Sequence, residues 1–221
     1  MESNQLSDIF RIASSISVIA PLVVYLSRIR YATRRIHIIG AVIGLSALSD
    51  LVGVILFTQH ISTVILFNLY YALLFFLLTW FYYEILFSNT RRVLVWVGLA
   101  VYLQSFLLVS IYVQGIFEYQ TLLWVITAVI MIVYSIAYFF YSFSTIPASS
   151  IFGYTLIWIN CAIMIYFSMN LFLFVMGNHV LTKLDPQMSL LVWSFHNVNN
   201  IIKNILFATG LFFFKRKVAD F

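Results

Sequence analysis

Charge is scarce in this sequence: twelve Lys and Arg and seven Asp and Glu stand among 221 residues, 9% of the chain. Soluble domains carry about a quarter charged residues, so an ordinary water-soluble fold is excluded. Cysteine is rarer still. Cys161 stands alone, which rules out an internal disulfide, and one thiol makes neither a redox pair nor a metal site. The four histidines include no His-x-x-x-His pair, and His37, His60 and His179 fall at expected span ends or in loops. Metal-dependent hydrolysis therefore lacks its ligands. A nucleotide-binding glycine loop and a nucleophile elbow are missing as well. The expectation is a protein that is not an enzyme, and no cofactor can be named.

What is abundant is apolar. Hydrophobic residues make up 63% of the chain and mean hydropathy is +1.03. A membrane-crossing helix needs about 20 mostly apolar residues, and seven such runs occur, at roughly 9–27, 36–58, 61–87, 93–113, 120–143, 151–176 and 188–214. Turn chemistry separates them at Gln59-His60, Gln114–Tyr119, Ser144–Ser150 around Pro147 and Gly177–Gln187 with Pro186. These runs fill residues 1–221 as one domain and leave no room for a soluble output module. Met1-Glu2-Ser3-Asn4-Gln5 lacks the basic start and cleavage site of a signal peptide. No self-similarity between spans 1–3 and 5–7 supports a transporter-like repeat.

Basic residues set the expected orientation. Arg28, Arg30, Arg34 and Arg35 follow span 1, Arg91 and Arg92 follow span 3, and Lys215, Arg216 and Lys217 follow span 7. Seven spans put all of these on one side. Arg11 and Lys183 face the other side with Glu2, Asp8, Glu118 and Asp185. The positive-inside rule makes the richer side cytoplasmic. An all-α bundle of seven transmembrane helices follows, N-terminus outside and C-terminus inside, multi-pass in a bacterial inner membrane. The net charge of +5 is thereby explained without nucleic acid, and the lipid bilayer is the first partner.

Aromatic residues reach 19%. Those at 81–83, 138–141 and 212–214 read as an interfacial belt with lipid-facing bulk. In span 2, Gly40 and Gly44 form a GxxxG with Ala47, Ser49 and Gly53 beyond, which predicts a closely packed central helix. Glu84, near Arg91 and Arg92 at a cytoplasmic span end, predicts an interfacial salt bridge.

Span 7 carries the informative pattern. At 100° per residue, His196, Asn197, Asn199, Asn200, Lys203 and Asn204 fall in an arc of about 160°. So polar an arc must face protein or a water-filled cavity, because unsatisfied polar groups are expensive in lipid. Counting about 1.5 Å per residue, His196 lies about 12 Å from the outer surface, Asp50 about 13 Å, Asn68 about 11 Å and Lys203 about 22 Å. Gln104 and Asn160 are close to the midplane. Asp50 and Lys203 are the two charges far from both interfaces, and a direct pair between them is the economical arrangement. His196 adds a group able to titrate near neutral pH. Asn170 and Ser168 are candidates to line an outer vestibule. The candidate ligand or proton site is therefore Asp50, Asn68, His196, Asn199, Asn200, Lys203 and Asn204, among spans 2, 3 and 7. A purely structural ion-pair and amide network is the alternative.

The ending His196-x-x-Asn199/Asn200-Ile201-Ile202-x-Asn204-Ile205-Leu206-Phe207-Ala208-x-Gly210 resembles that of small uncharacterised seven-helix membrane proteins of Bacteroidota-type bacteria. The resemblance covers about 20 residues. It implies a sensor or signalling-accessory role beside a membrane or cytoplasmic partner such as a histidine kinase. A transporter or channel subunit using the same cluster as its path is the second expectation. A lysine in span 7 also resembles retinal-binding proteins, with Asp50 as the one available counter-ion, and that reading is the third.

Overall fold

The computed structural model describes residues 2–86, 89–115, 117–147, 152–182 and 185–214, and every regular element among them is helical. Helix α1 (Glu2–Ser17) and helix α2 (Ile19–Arg28) form one rod with a break at Val18. The break has a local cause: Pro21 has no N–H for the Ser17 carbonyl, and its ring crowds that carbonyl. A 3-10 turn over Ile29–Tyr31 leads to α3 (Arg34–Thr58). Chain reversal before α4 (Val64–Ile85) uses His60 at φ 57°, a left-handed conformation that histidine tolerates better than branched residues do. Helix α5 (Asn89–Leu108) ends in a π-helical turn at Val109–Val113. Helices α6 (Thr121–Thr145), α7 (Thr155–Thr182) and α8 (Pro186–Phe213) complete the chain, α8 opening on a proline that needs no N–H partner there.

Among the described residues, six stretches are long and apolar enough to cross a membrane: Ile9–Tyr31, α3, α4, Arg92–Val113, α6 and Thr155–Gly177. Helix α8 has 28 residues, about 42 Å of rise, but is not in that set, since His196, Asn197, Asn199, Asn200, Lys203 and Asn204 interrupt its apolar run. Large apolar side chains such as Leu48, Ile111, Phe140 and Phe172 are exposed around the outside, as a lipid-facing surface requires.

The helices close into a ring. Helix α8 packs against α7 on one side and the α1–α2 rod on the other, α7 packs on α6, and α3 joins α2 to α4. Helix α4 meets α6, with α5 lying across that seam. The two ends of the ring are told apart by their contacts. At one end, the 59–63 and 114–120 connections are tied together by Asn68 and Thr63. At the other, Arg34 bridges Glu84 at 3.1 Å and Arg28 donates to the Phe214 carbonyl.

Four expectations change here. Helices α6 and α7, rather than α3, are the most enclosed. The GxxxG is half a contact: a Cβ on Gly40 collides with the Tyr25 ring, while one on Gly44 meets nothing within 4 Å. The supposed aromatic belt is partly core, since Phe81, Tyr82, Tyr138 and Phe214 are buried. The salt bridge expected for Glu84 exists, with Arg34 as its partner. Lys183, Lys215, Arg216 and Lys217 lie outside the described residues, as does the Arg91 side chain.

Candidate functional site

Within the ring, at the end of the 59–63 and 114–120 connections, lies a cavity of about 330 Å³. Ser49, Asp50, Gly53, Val54 and Phe57 of α3 form one wall. Arg11, Ser14 and Ser15 of α1 form the second, and Trp193, His196, Asn197 and Asn200 of α8 the third. Phe67 and Tyr71 of α4 close it with Tyr119 and Trp124 beside the start of α6. The spacing of α3 explains its share: residues 50, 53, 54 and 57 lie on one helical face.

The connection above the cavity is held by amides. Asn68 donates to the Glu118 carbonyl at 2.8 Å and accepts from the Gln120 N–H at 3.2 Å. Gln120 donates to Ser110 at 2.8 Å, and Gln114 donates to Thr121 at 3.1 Å. The π turn of α5 puts Ser110 within reach. Asn68 thus shapes the site's roof and does not line the cavity.

Three of the seven expected residues meet in the cavity: Asp50, His196 and Asn200. Asn200 also donates to Ser14 at 3.0 Å, and one turn on Asn204 donates to Ser17 at 2.8 Å, so these amides fasten α8 to the first rod. His196 is oriented from the opposite side. Asn170 donates to the Tyr166 carbonyl at 2.8 Å, which turns its own oxygen toward Nδ1 of His196, also at 2.8 Å. That oxygen only accepts, so Nδ1 carries a proton and, in the neutral ring, Nε2 is an acceptor. Asn170 is therefore a buried support, whereas Ser168 is exposed. Asn199 is fully buried, and neither of its amide atoms has a partner among the described residues.

The expected ion pair does not form. No N–O approach within 4.0 Å joins Asp50 and Lys203. Lys203 is buried with Nζ 4.6 Å from the centroid of the Tyr166 ring, a cation–π contact. One carboxylate oxygen of Asp50 is buried without a hydrogen-bond partner among the described residues. The reason is geometric: Tyr166 of α7 takes the ammonium below the cavity before it reaches α3. A thin link remains, since the Tyr166 hydroxyl lies 3.4 Å from that of Tyr71, which lines the cavity.

Sequence reasoning missed the aromatic wall. Trp124, Trp193, Tyr71 and Tyr119 stand near span ends, where tryptophan and tyrosine ordinarily mark an interface, and only the ring closure turns them inward. Tyr71 and Trp124 lie 4.7 Å apart by centroid and are tilted at 30°. Of the two midplane amides, Asn160 is buried in a network with Tyr82 and Ser135, while Gln104 is exposed on the outer surface. No grouping of three His, Cys, Asp or Glu among the described residues is arranged to hold a metal ion. Compared with protein-family models, curated proteins and solved structures, the chain matches none.

Proposed function

We propose that this chain is a seven-crossing sensor or signalling-accessory protein of a bacterial inner membrane, with its N-terminus outside and C-terminus inside. It binds a small ligand in the outer half of the bundle and passes a change in helix packing to a partner such as a histidine kinase. The observation that carries the reading is the cavity of about 330 Å³ with an unpartnered carboxylate oxygen of Asp50 in its wall. Small-molecule sites begin at about 300 Å³ and combine apolar walls with a few polar groups. An intramembrane ionisable residue facing a cavity is a functional candidate by default.

Counting α8 as the seventh crossing rests on its length and on its packing between α7 and the first rod. Its polar face is satisfied largely by Ser14, Ser17, Asn170 and Tyr166, so it need not meet lipid. Seven crossings also keep Arg28, Arg30, Arg34 and Arg35 on the cytoplasmic side with the basic C-terminus. A sensor is favoured over a transport path by what lies below the cavity: Phe75, Phe81 and Tyr82 are fully buried in a packed aromatic layer.

The test is a compound screen on the protein in nanodiscs, read by cavity tryptophan fluorescence, with solute flux measured in proteoliposomes. A ligand that shifts the fluorescence and is lost in Asp50→Asn, with no flux, supports sensing. Flux abolished by Asp50→Asn replaces it with transport.

A further inference from the structure

Two residues of the cavity wall hold a buried polar atom without a partner among the described residues: Oδ2 of Asp50 and the indole N–H of Trp124. One is an acceptor and the other a donor. Groups of this kind are costly to leave unsatisfied in a low-dielectric interior. A complementary ligand therefore presents an N–H or O–H to the first and an oxygen to the second.

Charge narrows the class. The Asp50 carboxylate has no ion-pair partner within 4.0 Å among the described residues, because Lys203 is held on the Tyr166 ring and does not line the cavity. Arg11 stands 4.9 Å over the Phe57 ring, about 10 Å further along α3 than Asp50 at 1.5 Å per residue. A positive group at Asp50 thus meets neither cation. In its neutral form the His196 ring, with Nδ1 turned to Asn170, offers a further acceptor in the same wall. Phe67, Tyr71 and Trp193 supply aromatic faces to a cation. An anion brings like charge to Asp50. A neutral apolar molecule leaves both orphan atoms unsatisfied, and a quaternary ammonium has no N–H for Oδ2.

We propose that the cavity takes a small organic amine, protonated and primary or secondary, with a compact apolar body and a hydrogen-bond acceptor near the nitrogen. The inference rests on the sensor reading of the same cavity and names its ligand class. The ammonium donates to Asp50, the acceptor receives the Trp124 N–H, and the body lies on the aromatic wall.

The experiment titrates wild-type protein in nanodiscs with phenylalaninamide and three matched probes, following tryptophan fluorescence. 3-Phenylpropanamide lacks the ammonium, phenethylamine lacks the carbonyl, and N,N,N-trimethylphenylalaninamide keeps the charge without an N–H on the ammonium nitrogen. Phenylalaninamide is expected to bind roughly 10- to 100-fold more tightly than 3-phenylpropanamide, the range for a hydrogen bond to a charged group. The trimethyl probe is expected to fall by about the same order, and phenethylamine by roughly 2- to 10-fold. Asp50→Asn should erase the first difference and Trp124→Phe the last, while the wild-type series stands alone if either variant fails to fold. Equal affinity for phenylalaninamide and 3-phenylpropanamide overturns the amine class while leaving a ligand cavity in place. Absence of binding by every amine, alongside Asp50-dependent binding of another compound in the wider screen, overturns this inference alone. A screen in which nothing binds removes both.

Discussion

Replacing Tyr82 by phenylalanine removes one oxygen from a fully buried site and so measures what the inner half of the bundle owes to polar contacts. The Tyr82 hydroxyl donates to Oδ1 of Asn160 at 2.8 Å and accepts from Ser135 at 2.6 Å. Asn160 in turn donates to the Ser135 carbonyl at 3.1 Å, which joins α4, α6 and α7 in one network. All three side chains are 0% exposed, so no water replaces the lost oxygen. In Tyr82→Phe, Ser135 can turn back to a carbonyl of its own helix, but Oδ1 of Asn160 loses its donor. A buried acceptor left unsatisfied costs about 1–3 kcal/mol. Interhelical hydrogen bonds in membrane proteins average about 0.6 and reach about 1.7 kcal/mol. The expected loss is therefore about 1–2 kcal/mol, roughly 5- to 30-fold in the folding equilibrium. Unfolding by SDS in mixed micelles, followed by tryptophan fluorescence, gives the value. Tyr102→Phe is the control: Tyr102 is also buried, at 3% exposed, and stacks on Phe75 at 3.8 Å, but its hydroxyl has no hydrogen-bond partner among the described residues and leaves no orphan behind. That change should cost less than about 0.5 kcal/mol. Adding Asn160→Leu to Tyr82→Phe should cost less than the sum of the two single changes, because no orphan acceptor remains. If Tyr82→Phe and Tyr102→Phe cost the same, the network reasoning is wrong.

Three further outcomes test the observed packing. In an SDS-unfolding cycle, Asp50→Asn and Lys203→Met should couple by less than about 1 kcal/mol, whereas a direct buried pair costs about 3–5 kcal/mol to break from either side; the larger coupling would mean that the two charges meet. Gly98→Ala should lose about 1–3 kcal/mol by overpacking, since its Cβ collides with Tyr134, whose hydroxyl is held by the Val95 carbonyl. Gly44→Ala should be neutral to within about 0.5 kcal/mol, having open space around it.

The contrast between Gly40 and Gly44 marks where the sequence stops being readable. Small-residue spacing on α3 pointed at Gly40 and Gly44, but spacing names a helix face and not the helix opposite; Tyr25 fills one position and nothing fills the other. Helix positions followed from long apolar runs because in lipid a chain has few other ways to satisfy its backbone. The polar arc of α8 was legible for the same reason, and it does face protein. Its partners were not legible. Ser14 and Ser17 are brought to Asn200 and Asn204 across more than 180 residues of chain, a closure that no local pattern encodes. Lys203 looked like the mate of Asp50 because only charge was counted. An aromatic ring on α7 was the nearer stabiliser, and Tyr166 carried no mark to distinguish it from the other tyrosines of the chain.

The most direct test of the account is the reactivity of a thiol placed inside the cavity. Ser49 lines the cavity but is otherwise buried, so in a Cys161→Ala background Ser49→Cys is reachable by a charged thiol reagent only through the cavity mouth. The account predicts modification from outside intact cells, slowed by any ligand that occupies the cavity, with Ser135→Cys unreactive from either side. Modification of Ser49→Cys only after the cytoplasmic face is opened, or none at all, would contradict it.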